Sequence, residues 1–171
     1  RESILSIYDL PKEYILFVGA IEQRKNILGL VRAMAHAKTD LNLVIVGDGN
    51  QKSKKELLET IDALKITNRV FIRSNITSTD LPAIYQSAKM FVFPSFYEGF
   101  GIPIIEAQFS EVPVITSEGS CFPETAGSDG AIFVNPHHHE SLADAIDELS
   151  SNEDLRLQLI HEGRKHVEKF H

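Results

Sequence analysis

Residues 98–106 read EGFGIPIIE, two glutamates eight positions apart with two glycines, a proline and four apolar residues between them. A carboxylate directly ahead of a glycine turn is an odd choice for a purely structural segment. Carboxylates accept hydrogen bonds, so Glu98 and Glu106 could hold a ligand that carries hydroxyl groups. Glu106 is the more telling of the two. On an otherwise apolar helix, a carboxylate is either buried with a partner or placed to accept from a ligand. The competing arrangement has Glu98 capping the turn and Glu106 exposed. Gly99 and Gly101 leave backbone N–H groups approachable just ahead of the helix.

A second chemical segment reads GAIEQRKN, residues 19–26. Gly19 permits a tight turn and a close backbone approach. Arg24 and Lys25 come just before a helix that starts near Asn26. Two cations there oppose the helix dipole, which favours anions at that end. Cations combined with free N–H groups make a phosphate site, and a local conflict of this kind points to function. A solvated basic turn is the bland alternative.

These residues need a frame, and the periodicity supplies one. YILFVG (14–19), LNLVIVGDG (41–49), RVFI (69–72), KMFVFPS (89–95), VPVITS (112–117) and AIFV (131–134) read as short buried strands. Between them, 26–37, 52–66, 80–88 and 102–110 carry helical spacing, and 140–151 and 152–170 are helical with a division near Ser151 and Asn152. Ser78 or Thr79 is expected to cap the third of these helices, and Pro103 is tolerated in the first turn of the fourth. Repeated βα units with strands apolar on both faces predict an α/β fold. The expected form is a doubly wound, Rossmann-like parallel sheet of about six strands with helices on both faces. Ligands in such sheets bind beyond the carboxyl ends of the strands, where the strand order reverses. Both chemical segments are turns of that kind.

Composition narrows the class. The chain has 171 residues, 43% hydrophobic and 24% charged, which fits one globular domain with a sizeable core. Its net charge of -7 argues against a nucleic-acid partner. The single cysteine, Cys121, excludes a disulfide framework and fits a reducing, cytoplasmic setting. No apolar run approaches membrane-spanning length and no signal peptide is visible. No G-x-G-x-x-G follows the first strand, which argues against an ordinary dinucleotide site.

At this point a resemblance adds to the residues. EGFGIPIIEA is similar to the E-x7-E signature of the family four retaining glycosyltransferases, also called group 1. FVGAIEQRKN resembles that family's first donor loop. IVGDG, LPAIYQSAKMFVFPSFYEGFG and VPVITSEGSCFPETAG with its later NP follow in the family's order, so the resemblance covers nearly the whole chain. It implies the C-terminal, donor-binding half of a GT-B fold, with residues 1–171 as one nucleotide-sugar-binding domain. It implies Lys25, aided by Arg24, on the donor's diphosphate. Many relatives carry a further arginine after the first glycine, where this chain has Ala20. Glu106 would accept from the ribose hydroxyls and Glu98 would face the transferred sugar as the catalytic carboxylate. Gly19 and the backbone of Phe100, Gly101 and Ile102 would approach the donor, with the base near FIRSN (71–75).

The implied partners are a nucleoside-diphosphate sugar and a glycan or lipid-linked acceptor, the latter on an N-terminal domain absent from this chain. No metal or other cofactor is expected: cations and helix N-termini stabilise the departing diphosphate, and no Asp-x-Asp pair suggests a metal site. The full-length enzyme is also compatible with peripheral membrane association. Another GT-B nucleotide-sugar enzyme, epimerase-like, and a non-catalytic nucleotide-binding regulatory module are the rival readings. His137, His138 and His139 read as a solvated loop, because adjacent residues point in different directions. Cys121 reads as a passive thiol and Asp48 as the closure of a turn.

Overall fold

A computed structural model of the chain describes residues 2–170. Six strands form one sheet: β1 (Tyr14–Val18), β2 (Asn42–Val46), β3 (Val70–Arg73), β4 (Met90–Phe93), β5 (Val114–Ser117) and β6 (Ile132–Val134). All neighbours pair in parallel, in the order β3-β2-β1-β4-β5-β6. The order reverses between β1 and β4, so the crevice for a ligand opens above those two strands. β4 and β5 are buried along their whole length while β3 and β6 at the edges are half-buried. That is the pattern of a sheet covered on both faces.

The connecting helices are α1 (Glu2–Ile7), α2 (Ile27–His36), α3 (Gln51–Ala63), α4 (Leu81–Ser87), α5 (Ile102–Phe109), α6 (Phe122–Ala126), α7 (His139–Ser151) and α8 (Glu153–Val167). α2 packs with α3 and α7, and α5 packs with α4, α6 and α8. Right-handed crossovers running in opposite directions from the β1–β4 switch place these two groups on opposite faces. The division between α7 and α8 falls where the sequence predicts it, and Asn152 makes it: its side chain accepts from Leu155 N at 3.0 Å.

Other expectations need correction. Neither Ser78 nor Thr79 caps α4; the Asp80 N–H instead meets Thr77 Oγ1 at 3.3 Å. α1 and α6 have no counterpart in the periodicity. At six and five residues they are too short to show a repeat.

A row of aromatic rings crosses the core beneath the crevice. Tyr85 meets Phe91 at 5.5 Å, Phe91 meets Phe93 at 5.7 Å, and Phe93 meets Phe17 at 5.8 Å between ring centroids. All four rings are buried. They fix the ends of β1 and β4 and so fix the turns that leave them.

Candidate active site

The turn after β1 and the turn after β4 meet through charge. Lys25 Nζ lies 2.9 Å from both carboxylate oxygens of Glu98. Arg24 donates to Glu98 Oε2 at 3.0 Å and to the Tyr97 carbonyl at 3.3 Å. The Phe96 N–H closes the contact by donating to the Arg24 carbonyl at 3.0 Å. Glu98 therefore does not cap the turn, and its carboxylate is enclosed by two cations. The Glu98 and Lys25 side chains are only 9% and 11% exposed, so each charge depends on the other for compensation. Lys25 also sits 5.3 Å above the Phe93 ring, whose π-face favours a cation. Arg24 is more open and its other nitrogen bonds Glu22 at 2.8 Å.

Asn26 explains how the cations come to face β4 instead of the N-terminus of α2. It adopts the left-handed conformation, φ 58°, between the short 3-10 turn Gln23–Lys25 and α2. Asparagine tolerates that conformation better than most residues. Its amide donates to the Pro94 carbonyl at 3.0 Å and to the Pro136 carbonyl at 2.8 Å. One buried side chain thus ties the β1 turn to the end of β4 and to the loop after β6. The conflict with the helix dipole is resolved by Glu98, an anion from another turn. Sequence reasoning passed over Asn26; an Asn directly ahead of a helical run is the signal that could have found it.

Gly19 makes a close approach, but to another strand end. Its N–H donates to the Val46 carbonyl at 3.0 Å, and a Cβ on Gly47 would lie 1.8 Å from its oxygen. Glycine at 47 is what allows the β1 and β2 turns to cross.

Glu106 stands apart from the Lys25–Glu98 cluster. It lies in the second turn of α5, half-buried, and accepts from the Tyr85 hydroxyl at 2.7 Å. Burial, and then the neighbouring Glu106 charge, push the Tyr85 hydroxyl far above its ordinary range, so it remains a proton donor. Tyr85 was not a predicted site residue. It comes from α4, 21 positions away, and only tertiary packing reveals the pair.

Gly101 precedes α5 as its N-cap, with φ 89° and no side-chain capping bond. Neither the Gly101 nor the Ile102 N–H has an acceptor among the described residues. Both belong to the helix start, where free N–H groups favour an anion. The Phe100 carbonyl points the other way and accepts from Thr125 Oγ1 and, at 3.3 Å, from the Cys121 thiol. The Ile102 and Phe100 side chains are exposed.

The FIRSN segment leaves β3. Arg73 within it is engaged structurally, donating to the Tyr8 carbonyl at 2.7 Å and the Asp9 carbonyl at 2.9 Å. Asp48 closes its turn by accepting from Gly49 N at 2.8 Å; that bond, with help from Lys54, holds its carboxyl below the usual range. His137 is not merely solvated, because its ring stacks on Phe96 at 4.8 Å. A cleft of about 580 Å³ opens beside the ion cluster, lined by Glu22, Gln23, Arg32, Asn50 and Phe96 among others. It flanks the cluster without including Lys25, Glu98 or Glu106.

Comparison with known proteins agrees with this fold. Residues 6–166 match the family model described as glycosyl transferases group 1. O-antigen chain mannosyltransferase B of Escherichia coli is 33% identical over 145 residues, 82% of this chain and 38% of that protein. The chain thus spans about two fifths of that relative. Among solved structures, sucrose-phosphate synthase from Thermosynechococcus elongatus superposes with a TM-score of 0.87 at 26% identity, over 99% of this chain and 44% of that one. Anabaena HepE, solved with UDP and glucose, gives a TM-score of 0.88 at 18% identity over 98% of this chain and 47% of that one, a likeness of fold. The cations, the glycine turn and the two glutamates stand within a family match that runs almost the length of the sequence, and this chain belongs to the group 1 glycosyl transferases.

Proposed function

We propose that the chain is the donor-binding half of a retaining glycosyltransferase. It would hold a nucleoside-diphosphate sugar while the sugar moves to a glycan or lipid-linked acceptor bound by a further, N-terminal domain. The observation that carries this reading is the pairing of Lys25 and Arg24 on Glu98 at the β1–β4 switch point, in the turn that leads through Gly101 into α5. In glycosyl transfer the bond between the anomeric carbon and the phosphate oxygen breaks, and negative charge grows on the leaving diphosphate. Fixed cations and oriented N–H groups stabilise that charge without reorganising. The diphosphate takes Lys25 and Arg24, and Glu98, released from them, accepts from sugar hydroxyls. Its charge also favours the positive character that builds on the sugar ring. Glu106 accepts from the ribose.

The naming of a relative as a mannosyltransferase and the solution of a like fold with UDP and glucose support a hexosyl donor. The same proposal places the enzyme in the cytoplasm, with peripheral membrane association of the full-length protein, and has it work without a metal. A regulatory module on this scaffold would gain nothing from a buried lysine and a second cation gathered on one carboxylate. A thermal-shift screen of UDP-, GDP- and ADP-sugars, each with and without EDTA, separates these readings. A ligand of the folded state raises its melting temperature. A rise with at least one sugar nucleotide, unchanged by EDTA, is expected; no rise with any of them contradicts the donor reading.

A further inference from the structure

Thr125 is buried, 1% exposed, and uses both halves of its side chain on the glycine turn. Its hydroxyl donates to the Phe100 carbonyl. Its methyl lies 3.5 Å from the point where residue 101 would carry a Cβ. The Cys121 thiol adds a second, weaker donor to the same carbonyl at 3.3 Å. The chain has no cis peptide bonds among the described residues. In a trans peptide, C=O and N–H point in opposite directions. Drawing the Phe100 oxygen toward Thr125 and Cys121 therefore turns the Gly101 N–H away from α6. Glycine crosses between positive and negative φ at little cost. Nothing intrinsic to Gly101 would hold its peptide in one orientation, so the lock must come from outside the turn.

We propose that Thr125 is a positioning residue for donor binding: it fixes the Phe100–Gly101 peptide so that the Gly101 N–H meets the donor's diphosphate. This rests on the donor reading above. Thr125→Val keeps the shape and the methyl contact but removes the donor, leaving the carbonyl to the thiol. Thr125→Ser keeps the donor and loses only the methyl.

The test is calorimetric titration of this chain with UDP, GDP and ADP, with uridine, guanosine and adenosine as controls. For whichever diphosphate binds, Thr125→Val should weaken it about tenfold, the size of one well-placed hydrogen bond. Nucleoside binding should not change, and Thr125→Ser should stay within about twofold of wild type. A merely structural role would lower the melting temperature of both variants without this split. In the wild type, saturating diphosphate should shift the Gly101 amide in a ¹⁵N-labelled spectrum, a measurement independent of how the variants fold. Unchanged diphosphate affinity in folded Thr125→Val, failure of Thr125→Ser to restore it, or an unmoved Gly101 amide would overturn the proposal. Failure of the wild type to bind any of the three diphosphates would overturn the donor reading together with it.

Discussion

Lys25 Nζ is 2.9 Å from each oxygen of Glu98, so the carboxylate proposed to face the sugar occupies the cation proposed to hold the diphosphate. The two roles compete in the donor-free site. A diphosphate must displace Glu98 from Lys25 and Arg24, and that displacement costs part of its binding energy. Glu98→Gln keeps the shape and removes the negative charge. It should bind nucleoside diphosphate several-fold more tightly than wild type, since charge-assisted bonds run at about 1.5–3 kcal/mol and part of that is being diverted. In a full-length enzyme, turnover of the same variant should fall by about 10²-fold, as for loss of one preorganised electrostatic group. Weaker diphosphate binding in calorimetry, or near-normal turnover, would count against the displacement.

Glu106 and Tyr85 yield a prediction about the ribose. The Tyr85 hydroxyl holds one carboxylate oxygen of Glu106 at 2.7 Å, and on the donor reading the other accepts from the ribose. Wild-type protein should prefer a ribonucleoside diphosphate over its 2′-deoxy form. Glu106→Ala should shrink that preference toward none, and Tyr85→Phe should reduce it in part. Full retention of the preference in Glu106→Ala would place the ribose elsewhere.

Alkaline unfolding follows from the same tyrosine. Burial, and then Glu106, raise the hydroxyl in the folded state above its unfolded value. The unfolded tyrosine ionises near pH 10 while the folded one keeps its proton. Above about pH 10 the unfolded state therefore binds fewer protons, and stability falls as pH rises. Buried Tyr14 acts in the same sense. Denaturant titrations from pH 9 to 11 should show a shallower loss of stability in Tyr85→Phe than in wild type. Equal slopes would mean that Tyr85 does not titrate with unfolding.

Most of the frame was legible because the central strands bury both faces and so read as short apolar runs. β1, β2, β4 and β5 carry that signal and lie where it puts them. α1 and α6 are too short to show a period. At the site, the types of Arg24, Lys25, Glu98 and Glu106 marked chemistry, but their partners were out of reach. Glu98 meets Lys25 across 73 positions, a contact set by the pairing of β1 with β4. Tyr85 reaches Glu106, and Thr125 reaches Phe100, only because α4, α5 and α6 pack on one face. No local pattern encodes such contacts. Asn26 was legible in principle, as a residue suited to a left-handed turn ahead of a helix, but its two carbonyl partners were not.

The central claim is that Lys25 binds the donor's diphosphate, and one comparison tests it most directly. Wild type and Lys25→Ala are titrated with nucleoside diphosphate and with the matching nucleoside. Lys25→Ala should lose about 1.5–3 kcal/mol of diphosphate binding, the range for a hydrogen bond to a charged group. Nucleoside binding should be unchanged. The variant should also be less stable, because Glu98 keeps only Arg24 as compensation, and Glu98→Gln in the same chain should recover part of that stability without recovering diphosphate affinity. Equal losses for diphosphate and nucleoside, or no loss for either, would contradict the account.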